Sequence, residues 1–192
     1  MTMTLKDVRP YIGVARYVVG VSGPRVLPFA EEHANEGGFD LDPDFQRGHV
    51  WTDGLRSAFI EHLLRGGEHG RTIVWNSPTY GRIGEATGDL DDTLVIVDGK
   101  QRFTAVTRFL ANEVHVFGAG TFLDFDEESR RLMTTTTGLL RMFMHVHGLQ
   151  WRRDLLDLYL QLNTGAVPHS AEEIERVRAL RDASAAVPED AR

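Results

Sequence analysis

The sequence has no cysteine. That absence removes disulfide scaffolds, thiolate zinc sites, iron–sulfur clusters and cysteine nucleophiles together, and it fits a reducing compartment. No apolar run approaches the roughly 20 residues that span a bilayer. Residues 1–9 lack the basic start and apolar stretch of a secretory signal. Two phosphate-binding signatures are missing: a Walker-type G-x-x-x-x-G-K-[ST] loop and a G-x-G-x-x-G turn after a strand. The G-x-S-x-G elbow of serine hydrolases is also absent. Basic residues are in deficit, 21 against 28 acidic ones, for a net charge of -7. A uniformly basic nucleic-acid binder is thereby excluded, while a local arginine cluster facing phosphate is not.

What is present suits one domain of ordinary size. The chain has 192 residues, 42% of them hydrophobic and 26% charged, enough to bury a core without disulfides or a structural metal. There is no internal repeat. A single domain over 1–182 is expected, followed by a polar tail over 183–192 that Pro188 interrupts. A cytoplasmic protein is expected, host or viral in origin, with no membrane contact.

The pattern predicts an α+β class, a small mixed β-sheet flanked by helices. Short β-branched or apolar runs predict strands over 17–21, 72–75 and 93–97, with further extended segments over 39–41, 114–117 and 139–146. The run Thr93-Leu94-Val95-Ile96-Val97 is continuous, as when both faces are buried. Helices are predicted over 26–36, from Thr52 or Asp53 through Leu64, after Gly99, over 126–133 and 151–162, and from Ser170 onward. Leu55, Phe59, Ile60, Leu63 and Leu64 form the apolar stripe of the second. Ser170 and Glu173 have the spacing of a capping box. Residues 68–70 and 76–92 read as loops, the latter long enough to carry function.

Three segments carry candidate chemistry. In Val97-Asp98-Gly99-Lys100-Gln101-Arg102, a buried strand ends, the chain turns at a glycine and a helix begins. Such a turn presents backbone N–H groups and the positive end of a helix dipole to an anion. Lys100 and Arg102 add charge-assisted hydrogen bonds, and Asp98 has the chemistry to ligate Mg²⁺ or orient a nucleophile. The competing reading has Asp98 capping the helix and both cations solvated. In the segment 42–51, Phe45 and Trp51 anchor a connector from which Gln46, Arg47 and His49 project; a purely structural connector is the alternative. The third segment, 161–165, reads as a helix C-terminus closed by Gly165, with Asn163 open to either role. His145 and His147 alternate on a predicted strand, but no third ligand stands beside them in sequence. The Asp126-Glu127-Glu128-Ser129 run reads as a solvated helix start rather than paired catalytic acids, and the pairs Arg130-Arg131 and Arg152-Arg153 read as surface.

Taken together, PDFQRGHVW, IVDGKQRFTAVTRFL and YLQLNTGAVPHSAEEI resemble, in order and spacing, the N-terminal domain family of GmrSD-type restriction proteins. The hallmarks of that family are a proline-x-FQR-x-x-VW segment, a DGQQR strand-to-helix turn and a late asparagine-threonine-glycine. The family is grouped with the ParB/sulfiredoxin-like fold, whose members bind nucleotides or move phosphoryl groups without a Walker loop. The resemblance therefore implies an NTP site with Mg²⁺ on the turn. It carries Asp98, Gly99, Gln101 and Arg102 onto the DGQQR hallmark, Gln46 and Arg47 onto FQR, and Asn163 onto the late asparagine. Asp98, Gln101, Arg102 and Arg47 take catalytic roles in this reading, with Asp98 at the metal; Gln46, Arg47, Gly99, Lys100, Arg102 and Asn163 bind the nucleotide. Lys100 stands where the family usually has glutamine. No HNH-like nuclease arrangement follows, so a stand-alone domain is expected, without nuclease activity of its own. Two functions are then expected in a restriction, anti-phage or DNA-modification setting. One is an NTP hydrolase or phosphotransferase; the other is a non-catalytic nucleotide- or DNA-sensing module that partners a separate nuclease or modification enzyme.

Overall fold

Five strands form one mixed sheet in the computed structural model, which describes residues 15–34, 38–46, 51–80, 87–163 and 171–185. They are β1 (Tyr17–Val21), β2 (Phe39–Asp40), β3 (Thr72–Asn76), β4 (Leu94–Asp98) and β5 (Met142–His147). Their order across the sheet is β1-β5-β3-β4-β2. β1 pairs with β5 and β3 with β4 antiparallel, while β3 with β5 and β2 with β4 are parallel. The helices are α1 (Val26–His33), α2 (Asp53–Leu64), α3 (Lys100–Leu110), α4 (Glu127–Thr134), α5 (Arg152–Asn163) and α6 (Ala171–Ala183). The α+β class with a mixed sheet is the one the sequence pattern predicts. No helix among the described residues is long and apolar enough to cross a membrane.

Strand alternation divides the core between the two faces of the sheet. Ile73, Trp75, Leu94, Ile96, Met142, Met144 and Val146 point to one face, against Val26 and Phe29 of α1, Ile60 and Leu63 of α2, Phe103, Val106 and Phe109 of α3, and Met133 of α4. Val74 and Val97 point to the other, against Phe45, Leu155, Leu158 and Tyr159 of α5, and Val177 of α6. β4 is thus buried on both sides, as its unbroken apolar run requires.

Several predicted boundaries shift for local reasons. β5 begins at Met142 rather than residue 139, because the amides of Leu139 and Leu140 bond the last carbonyls of α4, those of Leu132 and Met133. The extended segment over 114–117 reduces to one bridge, Val116 with Gly120; positive φ at Phe117 (52°) and Gly118 (93°) turns the chain back at once. α1 stops at His33, where Ala34 becomes extended. Leu55 is 51% exposed, and Arg56 joins Ile60 and Leu63 on the buried side of α2. Thr52 is the N-cap of that helix, accepting from the Leu55 amide at 3.3 Å. Asp126 caps α4 in the same way, through the Ser129 amide at 2.7 Å, so the acidic run there is a helix start. Ser170, its capping box with Glu173, and the glycine-rich centre of the 76–92 loop fall outside the described side chains.

The sheet end from which α3 departs is closed by Arg71, only 3% exposed. It donates to the carbonyls of Gly67 (2.9 Å), Leu139 (2.7 Å) and Arg141 (2.8 Å). Burial lowers its pKa from the usual arginine value, with Glu68 opposing the shift. At the turn itself, Gly99 has φ +96°, and a Cβ there would stand 3.1 Å from Ile73 Cα and 3.2 Å from the Thr72 carbonyl. Gly99→Ala therefore meets both a left-handed backbone and a crowded wall. Its expected cost is roughly 2 kcal/mol or more, a drop of about 4–8 °C in Tm, checked by thermal unfolding. An unchanged Tm would show that the turn tolerates a side chain.

His145 and His147 supply a pH test. Burial lowers both pKa values from 6.5, and His145 lowers that of His147 further. The unfolded chain takes up protons first as pH falls through 6.5, so their stability contribution is complete above that value and lost below it. Tm is expected to be level on the alkaline side and to decline on the acidic side, more gently in His147→Gln. Superimposable profiles of parent and variant would contradict this.

Candidate functional site

The site forms where β4 hands the chain to α3. Gly99 is the N-cap of α3 in a left-handed conformation, and no side chain caps the helix. The first intrahelical bond runs from the Phe103 amide to the Gly99 carbonyl at 2.8 Å. The amides of Lys100, Gln101 and Arg102 precede it, at the positive end of the helix dipole. Asp98 is thus not the cap. Its carboxylate instead pairs with the Arg102 guanidinium, one turn along. That pair is partly open, with side-chain exposures of 37% for Asp98 and 23% for Arg102. Arg102 Nε is buried and has no hydrogen-bond partner among the described residues. The Arg102 stem passes beside Gly70, whose own φ is +77°.

Lys100 is not solvated. It is 3% exposed and pairs with Asp42, a residue of the connector that follows β2. The same connector is fixed to the turn twice more. Gln46 Nε2 donates to the Ile96 carbonyl at 2.6 Å, and the Trp51 amide donates to Gln101 Oε1 at 3.4 Å. The Gln46 bond has a simple cause. β2 pairs with β4 only at Leu94 and Val95, so the next carbonyl on that edge needs a donor, and a side-chain amide supplies it.

Two of the three predicted segments are therefore laced together: Gln46 from the first, and Asp98, Gly99, Lys100, Gln101 and Arg102 from the second. Arg47 and His49 lie outside the described residues. Asn163 lies at the end of α5, which packs on β4. Its amide donates to the Tyr159 carbonyl at 2.8 Å. Its connection to the turn is indirect, through the edge-to-face contact of Tyr159 with Phe45, centroids 5.2 Å apart.

Three residues that hold the site carry no functional expectation from the sequence, and one of them, Arg152, is expected there only as surface. Asp42 neutralises Lys100. Arg152 reaches both carboxylate oxygens of Asp44, at 2.7 and 2.6 Å. Arg176 donates to the Asp44 and Phe45 carbonyls, at 2.6 and 3.1 Å. The only signal was an aspartate-rich start to the connector, and nothing local matched it with arginines more than 100 positions away. Asp98 is the one carboxylate at the turn itself, and no group of three or more potential metal ligands occurs among the described residues. A single carboxylate is compatible with Mg²⁺ carried in by phosphates, which supply the remaining oxygens.

No curated protein and no solved structure matches the chain. The family model described as the GmrSD restriction endonuclease N-terminal domain matches residues 29–144, a span that holds the connector, the β4–α3 turn and most of the sheet. The chain belongs to the GmrSD restriction endonuclease N-terminal domain family.

Proposed function

We propose that this domain of a restriction system binds a nucleoside triphosphate at the β4–α3 turn and hydrolyses it or transfers its phosphoryl group. The observation that carries the reading is the Asp98–Arg102 pair at an uncapped, dipole-bearing helix start. An incoming phosphate competes with Asp98 for the Arg102 guanidinium. The Mg²⁺ it brings competes with Arg102 for the Asp98 carboxylate. Binding the Mg²⁺-nucleotide thus exchanges one ion pair for two, at no loss of neutralised charge. Arg102 and the α3 amides then face the charge that grows on the transferred phosphoryl oxygens. Gly99 permits close backbone approach, and Arg47 belongs to a connector whose flanks at Gln46 and Trp51 bond to the turn. Lys100 acts through Asp42, holding the connector in place, and Gln101 orients the same segment. Asn163, bonded to the Tyr159 carbonyl, supports the connector through Tyr159 and Phe45. The ParB/sulfiredoxin-like kinship implied by the motifs supports phosphate chemistry without a Walker loop.

One observation favours a second reading, a nucleotide-sensing module whose nuclease or modification partner does the chemistry. Both cations of the turn are already paired, Lys100 with Asp42 and Arg102 with Asp98. Opening such a pair on binding is the behaviour of a switch as well as of a catalyst.

Arg102→Ala removes a half-open pair and is expected to leave Tm within a few degrees. Phosphate release from Mg²⁺-nucleoside triphosphates is expected to fall about a hundredfold or more. Turnover equal to that of the unmutated protein rules the mechanism out. Asp98→Asn separates the readings. In an enzyme it abolishes Mg²⁺-dependent turnover. In a sensor, neither parent nor variant turns over, and only the nucleotide-induced rise in Tm changes.

A further inference from the structure

Apolar exposure is concentrated in one stretch of the chain, where Leu123, Leu132 and Phe117 are 60%, 56% and 50% exposed. Phe117 and Leu132 line the same open cavity, of about 170 Å³. One side of it comes from α2 and the turn closed by the Val116–Gly120 bridge, through Leu64 and Phe117. The other comes from α4, through Ser129, Leu132 and Met133, and Leu139 follows from the segment before β5. Ser129 is the one polar residue of the lining. A cavity of this size and character receives a single apolar side chain.

Phe117 is held at the cavity by force. Its φ is +52°, a left-handed conformation that a bulky side chain rarely adopts. Val116 and Gly120 close the turn with two backbone bonds, of 2.7 and 3.0 Å. The Glu61 carboxylate accepts from the Phe117 amide at 2.7 Å, and the Arg65 guanidinium lies over the ring, 5.1 Å from its centroid. Burial of the ring does not offset this strain, because half of the residue stays exposed. A ring fixed in this way loses little freedom when something docks on it.

The two rims carry opposite charge. Arg65 is exposed on the α2 side, and Glu128, exposed and one helical turn before Leu132, stands on the α4 side. Neither takes part in an ion pair among the described residues. A partner of one sign would satisfy one rim only. A second copy, related by a two-fold axis passing between the rims, satisfies both: Arg65 meets Glu128 of the partner subunit, and Leu132 lies against Phe117 of the partner subunit. A symmetric contact demands a surface complementary to itself, and this one holds a knob, a hole and both signs of charge. We propose that the chain pairs with a second copy of itself through the α2–α4 cavity. The surface shares no residue with the β4–α3 turn, so the proposal stands whether or not nucleotide binds there.

The test is sedimentation velocity of the full chain over a concentration series, which is expected to show a monomer–dimer equilibrium. Leu132→Ser is expected to raise the dissociation constant about tenfold or more. Leu55→Ser is the control: Leu55 is also exposed but lies half a turn out of phase with Leu64 on α2, and its loss leaves the equilibrium alone. Arg65→Glu and Glu128→Arg each set like charges together twice in a symmetric pair, so each alone is expected to weaken pairing about tenfold. Mixed in equal amounts, the two charge variants are expected to pair again, since every rim then meets its opposite. Thermal unfolding checks that each variant folds. A monomer at every concentration overturns the proposal. So does a dimer indifferent to Leu132→Ser, or a mixture of the two charge variants that pairs no better than either one alone.

Discussion

The passage from β4 into α3 depends on one position having no side chain. At Gly99 the backbone is left-handed and runs against Ile73 and Thr72 of β3, close enough that a Cβ would be crowded. That approach sets the angle at which α3 leaves the sheet. It buries Phe103, Val106 and Phe109 against the inward face and leaves the first amides of the helix at the end of the sheet. Everything that makes this end of the molecule a candidate for anion chemistry is a consequence of that turn.

Electrostatics around the turn are arranged in two tiers. Lys100 is enclosed and holds Asp42, so it fastens the connector after β2 to the root of α3. Burying an ammonium is costly unless it is paired, and this explains why a single aspartate on a short connector matters. Arg102 and Asp98 form the outer tier, accessible enough to exchange partners. On the proposed nucleotide-binding reading this division has a use: an inner pair that keeps the architecture, and an outer pair that responds to what binds.

Much of this was readable along the chain. The run 93–97 announced a strand buried on both faces, and Asp98-Gly99 followed by Phe103, Val106 and Phe109 announced the turn and the helix. Thr52 and Asp126 were legible as helix starts because capping is a contact over three residues. The roles of Lys100, Gln46 and Arg152 were not legible. Lys100 reads as either a phosphate ligand or a solvated cation until Asp42, 58 positions earlier, is folded onto it. Gln46 reads as a projecting polar group until the shortness of β2 leaves the Ile96 carbonyl in need of a donor. Arg152 reads as surface until α5 brings it to Asp44.

Sequence alone determined the local geometry: which stretches alternate with period 2 or near 3.6, where a glycine must break them, and which residues have the chemistry to meet an anion. Those properties reside in a few consecutive residues, and short-range sterics and hydrogen bonding enforce them. Only the tertiary structure decided which charges were spent on one another and which helices pack on each face of the sheet. Pairing and coverage depend on segments separated by tens to more than a hundred positions. An ion pair or a packed face exists only once the chain has closed those distances, and no local pattern encodes the partner at the other end.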